Sequence, residues 1–470
     1  MTTEFDIAER YNKLGQGHVL KYLDEIKDRD RAALLAELDK IPVEQLSRFL
    51  NMALEDQQNL SSADDITPFS NVGRYGNGNG GSAQNYEIGM KAISSGEVAA
   101  LVLAGGQGTR LGYAGPKGMY DIGLPSGRTL FQLVSERILK LRQLASLGSG
   151  NLAPLPFYIM TSPLNHDETI RYFDENTYFG LPKGDVCFFQ QGMLPCLDNE
   201  GKIIMESPCK VAMAPDGNGG IYPSLHNSGM LADMSQRRIK HLHVFSIDNA
   251  LTKPADPNFM GYCISQNADC GNKVVWKASA DEKVGVIAQR GGRPCVVEYS
   301  DITKEMSERT DSEGRLVFGA GNICNHYYSM DFINQVVLPK LGNMYHIARK
   351  KIPYYDEETK TTVEPEANNG IKLESFIFDV FPFSERMAVL DVLREDEFAP
   401  VKNAPGSPSD SPDTARVYIS ELAKRWVSKA GAFLRDESAA GFCEVAPLTS
   451  YGGEGLEKVN GKELTCPFAL

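Results

Sequence analysis

No apolar run in this chain of 470 residues approaches the roughly 20 residues that a membrane-spanning helix needs. The first residues, Met1 to Ile7, carry Glu4 and Asp6 and lack the apolar stretch of a secretory signal, so none is expected. Net positive charge is missing too: 48 Lys and Arg stand against 61 Asp and Glu, a formal balance of −13. That balance opposes nonspecific association with nucleic acid or an anionic membrane, both of which need a positive field. The nine cysteines include no C-x-x-C pair, and an odd number in a long chain points to reduced thiols rather than a disulfide framework. The expectation is a cytoplasmic protein with no membrane and no nucleic-acid partner. Repeats at solenoid periods and long low-complexity tracts are also lacking.

What is present is an ordinary globular composition, 42% hydrophobic and 23% charged, in a chain too long for one ordinary core. The spacing of Ala33, Leu34, Leu35, Leu38 and of Leu46, Phe49, Leu50, Leu54 predicts helices, and a Gly/Asn/Ser tract over 71–85 reads as a loop or linker. Residues 1–92 are therefore expected to form a helical N-terminal segment with its linker. From Glu97 onward short apolar runs alternate with helical stretches, among them Val98 to Leu103, Phe157 to Met160 and Leu242 to Ile247. Such alternation predicts an α/β domain over 93–390 with a Rossmann-like, mixed but mostly parallel sheet. Thr129 is placed to cap a helix whose Phe131, Val134, Ile138 and Leu141 share a face, with Glu136 and Lys140 paired outside. A stretch from Lys402 to Asp413, rich in Pro, Ser and Asp, reads as an exposed connection, and residues 391–470 are expected to form a small β-rich C-terminal domain.

Chemistry concentrates in a few places. Directly after the first strand runs Leu103-Ala-Gly-Gly-Gln-Gly-Thr-Arg-Leu-Gly112, with Gly115-Pro-Lys-Gly118 close behind. Glycines let backbone N–H groups approach anionic oxygens, and Arg110 and Lys117 add cationic donors suited to phosphate. The dinucleotide fingerprint needs a third glycine where Leu111 stands, and the P-loop needs Gly-Lys-Ser/Thr where Pro116-Lys117-Gly118 stands, so neither applies. Ala214-Pro-Asp-Gly-Asn-Gly-Gly-Ile-Tyr222 alone would be a turn signal. The third strand ends in Asp248-Asn249, a carboxylate where open α/β sheets bind ligands and where Mg2+ brought by a nucleotide finds an oxygen ligand. Glu298-Tyr299, Asn322 and Lys372 follow further strands, each weak by itself. His241, His243 and His326 lack the accompanying ligands of a zinc site and are read as structural, and Cys263 and Cys270 as buried small hydrophobes.

Taken together and in order, Leu-Ala-Gly-Gly-Gln-Gly-Thr-Arg-Leu-Gly, Pro-Lys-Gly-Met-Tyr-Asp, Ala-Pro-Asp-Gly-Asn-Gly-Gly, Asp-Asn, Val-Glu-Tyr, Ala-Gly-Asn-Ile and Leu-Arg-Glu-Asp-Glu-Phe resemble the eukaryotic UDP-N-acetylglucosamine pyrophosphorylase family, from about residue 96 to the end. The resemblance implies a fold of the nucleotidyltransferase (GT-A-like) type. It implies that Leu103, Ala104, Gly105 and Gly106 wrap a uridine, with Gln191 and Gly217 at the uracil edge. By the same resemblance Arg110 and Lys117 face the triphosphate together with Lys372. Asn218, Glu298, Tyr299 and Asn322 would contact an amino sugar, Lys402 its phosphate, and Asp248 a metal, Mg2+ or Mn2+ in its place. The implied reaction joins UTP and N-acetylglucosamine 1-phosphate into UDP-N-acetylglucosamine and pyrophosphate, by in-line attack without a covalent intermediate. Another sugar 1-phosphate, of glucose or N-acetylgalactosamine, and a non-catalytic nucleotide-sugar-binding protein are the alternatives. One departure stands out: Gly319 occupies a position where family members commonly carry a second asparagine.

Overall fold

The structure, a computed structural model, describes residues 2–59, 65–75, 83–146, 152–341, 344–436 and 441–470. Its chain packs as two compact units, and neither is continuous in sequence. One unit takes residues 1–64, 191–224 and 338–379, the other residues 65–190, 225–337 and 380–470.

The second unit is built on an 11-stranded sheet. Along its main path the strands run Val72–Arg74, Met387–Asp391, Cys270–Trp276, Ala320–Ser329, His241–Ser246, Val98–Leu103, Phe157–Thr161 and Val186–Gln190. Every pairing on that path is parallel except the two made by Ala320–Ser329. This is the mixed, mostly parallel α/β sheet expected. Strands Val98–Leu103 and Phe157–Thr161 are buried at every position, as strands covered on both faces must be. Helix Leu130–Ala145 starts at Thr129, whose hydroxyl accepts the Gln132 N–H, and it buries Phe131, Val134, Ile138 and Leu141 against the sheet. Glu136 departs from expectation. It is buried and pairs at 2.7 Å with Arg128, not with Lys140, because Arg128 precedes the helix and reaches back over its first turns.

The C-terminal residues belong to this same unit, with Ile419, Leu422 and Tyr451 in the sheet's own core. Their centre is an 18-residue helix, Pro412–Lys429, capped by Ser411, and among the described residues of the tail one pair of strands forms, Phe433–Arg435 with Glu463–Thr465, beside an isolated bridge between Glu444 and Ala469. The approach to the helix is exposed at Pro405, Pro408 and Ser409, half-buried at Ser407 and Asp410, and buried at Ser411. Of the expected linker, residues 76–82 lie outside the described residues. Val72–Arg74 is an edge strand and Asn85 is buried in helix Ala83–Ser94.

In the first unit, helices Glu4–Lys13, Asp28–Lys40 and Val43–Asn59 bear out the helical reading, with Leu34, Leu38, Leu46 and Phe49 buried. They do not pack by themselves. Their apolar faces close on Leu194, Leu197, Ile203, Val211, Ile371 and Leu373, from the three-stranded sheet of Leu197–Asp198, Gly370–Glu374 and His346–Lys350 and its neighbours. Packing thus cuts the chain differently from the linear segments 1–92, 93–390 and 391–470. Two excursions, 191–224 and 338–379, leave the α/β unit to finish a core that three short helices cannot bury alone.

Candidate active site

Parallel register decides what meets at the sheet's carboxyl edge. Leu103 lies opposite Ser246, so the glycine-rich loop and Asp248 leave adjacent strands at one level. The loop is held by its own backbone: Gly108 N–H donates to Gly115 O at 3.0 Å and Lys117 N–H to Gly106 O at 3.1 Å. Buried Asn165 supports it from behind, donating to Ala104 O at 3.0 Å and Gly106 O at 3.4 Å. Leu103 and Ala104 are buried, Gly105 half-buried and Gly106 exposed.

Arg110 is exposed on the turn Thr109–Leu111, and Lys117 is half-buried on the turn Lys117–Met119. Lys117 Nζ donates to Val401 O at 3.1 Å. Burial lowers its pKa, Asp248 opposes this, and the positive charges of Lys402 and Arg110 lower it further. Arg110, Asp248 and Lys402 thus all lie close enough to act on Lys117. Val401 N–H donates to Asp248 O at 2.8 Å, which seats Lys402 beside the acid although the two are far apart in sequence. Asn249 fixes this seam from inside. Its Nδ2 donates to Glu397 O at 2.7 Å and its Oδ1 accepts from Ala399 N–H at 2.9 Å.

Residues expected at the sugar lie nearby. Glu298 is half-buried and its pKa is raised, by burial first and Asp301 next, while Lys402 opposes. Tyr299 is exposed. Asn322 Oδ1 accepts the Cys324 N–H at 3.1 Å. At Gly319 a Cβ would meet Trp276 Nε1 at 2.0 Å. The indole occupies the space a side chain at 319 would need, held by its bond to Leu316 O at 3.0 Å and by the Arg315 guanidinium 4.0 Å above its ring.

Two groups here carried no sequence signal. Asp410 presents its carbonyl to the N–H groups of Lys402 and Asn403, and its raised carboxyl pKa reflects burial, with Lys402 opposing and Asp248 among the neighbours that raise it. Burial pushes the Cys324 thiol up to about 12, with Asp248 adding to the shift. Both sit among neutral or turn-like residues in the sequence, and only Asp410's closeness to Lys402 along the chain could have drawn notice.

The remaining expected residues, Gln191, Gly217, Asn218 and Lys372, belong to the other unit. Their turn is sewn to the end of strand Gly370–Glu374: Ser375 N–H donates to Asp216 O at 2.8 Å, Gly219 N–H to Ser375 O at 2.9 Å, and Ile377 N–H to Asn218 Oδ1 at 2.9 Å. Gly217 has φ +86, and a Cβ would meet Ser375 O at 2.1 Å, so only glycine fits. Gln191 Nε2 donates to Gly217 O at 2.6 Å. Lys372 is half-buried within its strand.

The donor set suits a divalent ion of one kind. Among the described residues no group of three or more His, Cys, Asp and Glu could cage a metal, so an all-protein zinc or calcium site is absent from them. The Asp248 carboxylate accepts no hydrogen bond from a described residue, as suits Mg2+, which takes one or two carboxylates and completes its shell with water and phosphate. The histidines are engaged elsewhere. Ala255 N–H donates to His243 Nδ1 at 2.8 Å, which leaves Nε2 to donate to Asn325 Oδ1 at 2.7 Å, and burial lowers this imidazole to about 3. Cys263 and Cys270 are buried free thiols.

A glycine-rich loop, two cations and an acid at the carboxyl edge of parallel strands define a nucleotide-handling α/β protein. The UTP–glucose-1-phosphate uridylyltransferase family profile matches residues 55–418, and the chain belongs to that family. It is 42% identical to the human UDP-N-acetylhexosamine pyrophosphorylase-like protein 1, over 100% of this chain and 97% of that protein. Identity to the Saccharomyces cerevisiae UDP-N-acetylglucosamine pyrophosphorylase is 39%, over 97% of each. The crystal structure of the Trypanosoma brucei uridine diphosphate N-acetylglucosamine pyrophosphorylase in complex with an inhibitor superposes with a TM-score of 0.83 at 33% identity, over 96% of this chain and 93% of that one. No helix among the described residues is long and apolar enough to cross a membrane.

Proposed function

We propose that this chain is a uridylyltransferase that makes UDP-N-acetylglucosamine and pyrophosphate from UTP and N-acetylglucosamine 1-phosphate, in the cytoplasm and with Mg2+ or Mn2+. The observation that carries it is the gathering of Arg110, Lys117 and Lys402 around Asp248 at the sheet's carboxyl edge. The names of full-length relatives near 40% identity support the choice of amino sugar.

The chemistry asks little of a protein nucleophile. A phosphate monoester is largely ionised at pH 7, its second pKa being about 6, so its oxygen attacks the α-phosphorus of UTP without a general base. The chain's task is to hold two polyanions together and to stabilise charge on the α-phosphoryl and leaving oxygens. Arg110 and Lys117 take the triphosphate with Lys372, and Lys402 the phosphate of the sugar. Leu103 to Gly106 hold the uridine, Gln191 and Gly217 read the uracil, and Asn218, Glu298, Tyr299 and Asn322 hold the amino sugar. Asp248 holds the metal, which when bound neutralises charge on the phosphates. Burial, with the positive charges of Lys402 and Arg110, lowers the pKa of Lys117, and a phosphate bound beside it would favour the charged ammonium.

The test is pyrophosphate release from UTP with the 1-phosphates of N-acetylglucosamine, N-acetylgalactosamine and glucose. The expected result is the highest kcat/KM with N-acetylglucosamine 1-phosphate. Preference for glucose 1-phosphate would overturn the sugar, and binding of UDP-sugar without pyrophosphate exchange under ample Mg2+ would overturn catalysis.

A further inference from the structure

Gly285 has no part in the chemistry proposed for the chain, yet three strands fix what stands beside it. Strand Val286–Arg290 pairs with Arg293–Val297 on one side and meets Ala320–Ser329 on the other. Both contacts are antiparallel, and Val286 lies opposite Val297 in the first and opposite Gly321 in the second. One residue back from Val286, and one residue on along each partner, Gly285 comes level with Glu298 and with Asn322. Residues opposite one another in antiparallel strands share a face, so the glycine lies between those two side chains. The Asn322 N–H ties the pair together, donating to Gly285 O at 2.8 Å.

Gly285 is not among the glycines with left-handed φ, so conformational freedom is not what it supplies. It supplies room. A Cβ there would lie 3.0 Å from Val296 Cγ1, 3.1 Å from Glu298 Oε1 and 3.3 Å from Glu298 Cδ. The Glu298 carboxylate therefore leans over the glycine, half-buried and without a hydrogen bond or ion pair to a described residue. On the other side the Asn322 amide has a fixed sense. Cys324 N–H can only donate, and it donates to Asn322 Oδ1 at 3.1 Å; the flipped amide would set donor against donor. Nδ2 is left as the free end and donates to no described residue. An acceptor and a donor, both without partners, thus flank one glycine, and they complement a group that donates and accepts at once, such as a hydroxyl or an amide.

We propose that Gly285 is a positioning residue for the sugar phosphate. Having no side chain, it lets the Glu298 carboxylate lie over it, and its carbonyl anchors Asn322, so that acceptor and donor close on the same part of the sugar. This rests on the reading of Glu298 and Asn322 as the residues that hold the amino sugar. Gly285 acts through these two.

The experiment measures KM for N-acetylglucosamine 1-phosphate and for UTP separately in the wild type and in variants. Gly285→Ala is expected to raise the first at least about tenfold and to leave the second within about twofold. Because the added methyl acts through the carboxylate, its effect on KM should vanish in a Glu298→Ala background. Val296→Ala removes the nearer contact and leaves the carboxylate pressed, so Gly285→Ala combined with Val296→Ala should keep the raised KM; this pair also carries the test if the single variant fails to fold. Asn322→Asp keeps the acceptor for Cys324 N–H but has no donor, and it is expected to raise KM for the sugar phosphate as Asn322→Ala does. The role of Gly285 is overturned if Val296→Ala restores KM, or if Gly285→Ala costs as much without Glu298 as with it. A wild-type KM in Asn322→Asp overturns the donor beside it. Should Glu298→Ala and Asn322→Ala themselves leave KM for the sugar phosphate unchanged, their reading as sugar contacts falls and this inference with it; if they raise it and Gly285→Ala does not, Gly285 alone is overturned.

Discussion

Two clusters of lysines and carboxylates sit in the same α/β unit and are built on opposite principles. In the first, Lys273 is fully buried with its Nζ 2.5 Å from Asp256 and 2.9 Å from Glu397, and Lys253 Nζ is 3.0 Å from Glu397. Two ammonium groups meet two carboxylates, and all four are close. In the second, Lys117 lies in the field of Asp248, Lys402 and Arg110, and Lys402 in that of Asp410, none of these cations within salt-bridge distance of a described carboxylate, and Arg110 and Lys402 are exposed. The first cluster spends its charge on itself. The second leaves its cations without a salt-bridge partner among the described residues. One short piece of chain joins them, with Glu397 in the closed cluster and Lys402 in the open one, clamped midway by Asn249. Neutralisation, not lysine content, separates the closed cluster from the open one.

The comparison breaks most visibly at Lys273. Lys273→Met leaves two carboxylates buried side by side, and the loss expected is about 3–5 kcal/mol of stability, read from urea unfolding; a loss below about 1 kcal/mol would deny the cluster its structural part. Its pH dependence has a definite sign. Burial raises Asp256, but Lys273 and Lys253 more than reverse this and hold it below 3.8, so its contribution fades as pH falls through that depressed value. Burial lowers Lys273, but Asp256 and Glu397 raise it above 10.5, so its contribution is lost as pH climbs through that raised value. The difference in unfolding free energy between wild type and Lys273→Met should be level between 3.8 and 10.5, and shrink as pH falls below 3.8 or rises above 10.5.

The open cluster should answer in the other observable. Lys117→Ala and Arg110→Ala are each expected to lower turnover at least about a hundredfold while the unfolding midpoint stays put. Near wild-type turnover in either would remove that residue from the site. Asn249→Ala should sit between, leaving the Glu397 carbonyl and the Ala399 N–H unpaired at a cost of about 1–3 kcal/mol and lowering turnover through the shifted Lys402; full stability together with full turnover would sever the link between the clusters. The smallest effect is sought at Asp248→Ala, where the Mg2+ concentration for half-maximal turnover is expected to rise at least about tenfold, as loss of one carboxylate ligand would cause. An unmoved Mg2+ titration would take the metal away from Asp248.

Residues 98–118 show what a sequence makes legible. A run of apolar β-formers followed by glycines and spaced cations specifies a buried strand and a glycine-rich loop by local chemistry alone, and the structure has the strand, buried throughout, and the loop, held by its own backbone. Glu136 shows the opposite case. An i, i+4 pair with Lys140 is the local expectation, and Arg128 wins because it reaches a buried carboxylate that Lys140 does not pair with. Asn165 and Asp410 are illegible for the same reason, since their partners arrive through the fold and leave no periodic trace.

By itself, then, the sequence determined the class of sheet, the helices at its start, the glycine loop and the family, because propensity, periodicity and motif order are written in neighbouring residues. Tertiary structure alone decided that the N-terminal helices share a core with residues 191–224 and 338–379, that residues 391–470 are built into the α/β unit around a helix rather than apart as a β domain, and that Lys402 stands by Asp248. Those outcomes depend on which apolar faces and which charges remain uncovered once the strands have paired, and only the folded chain can tell them apart.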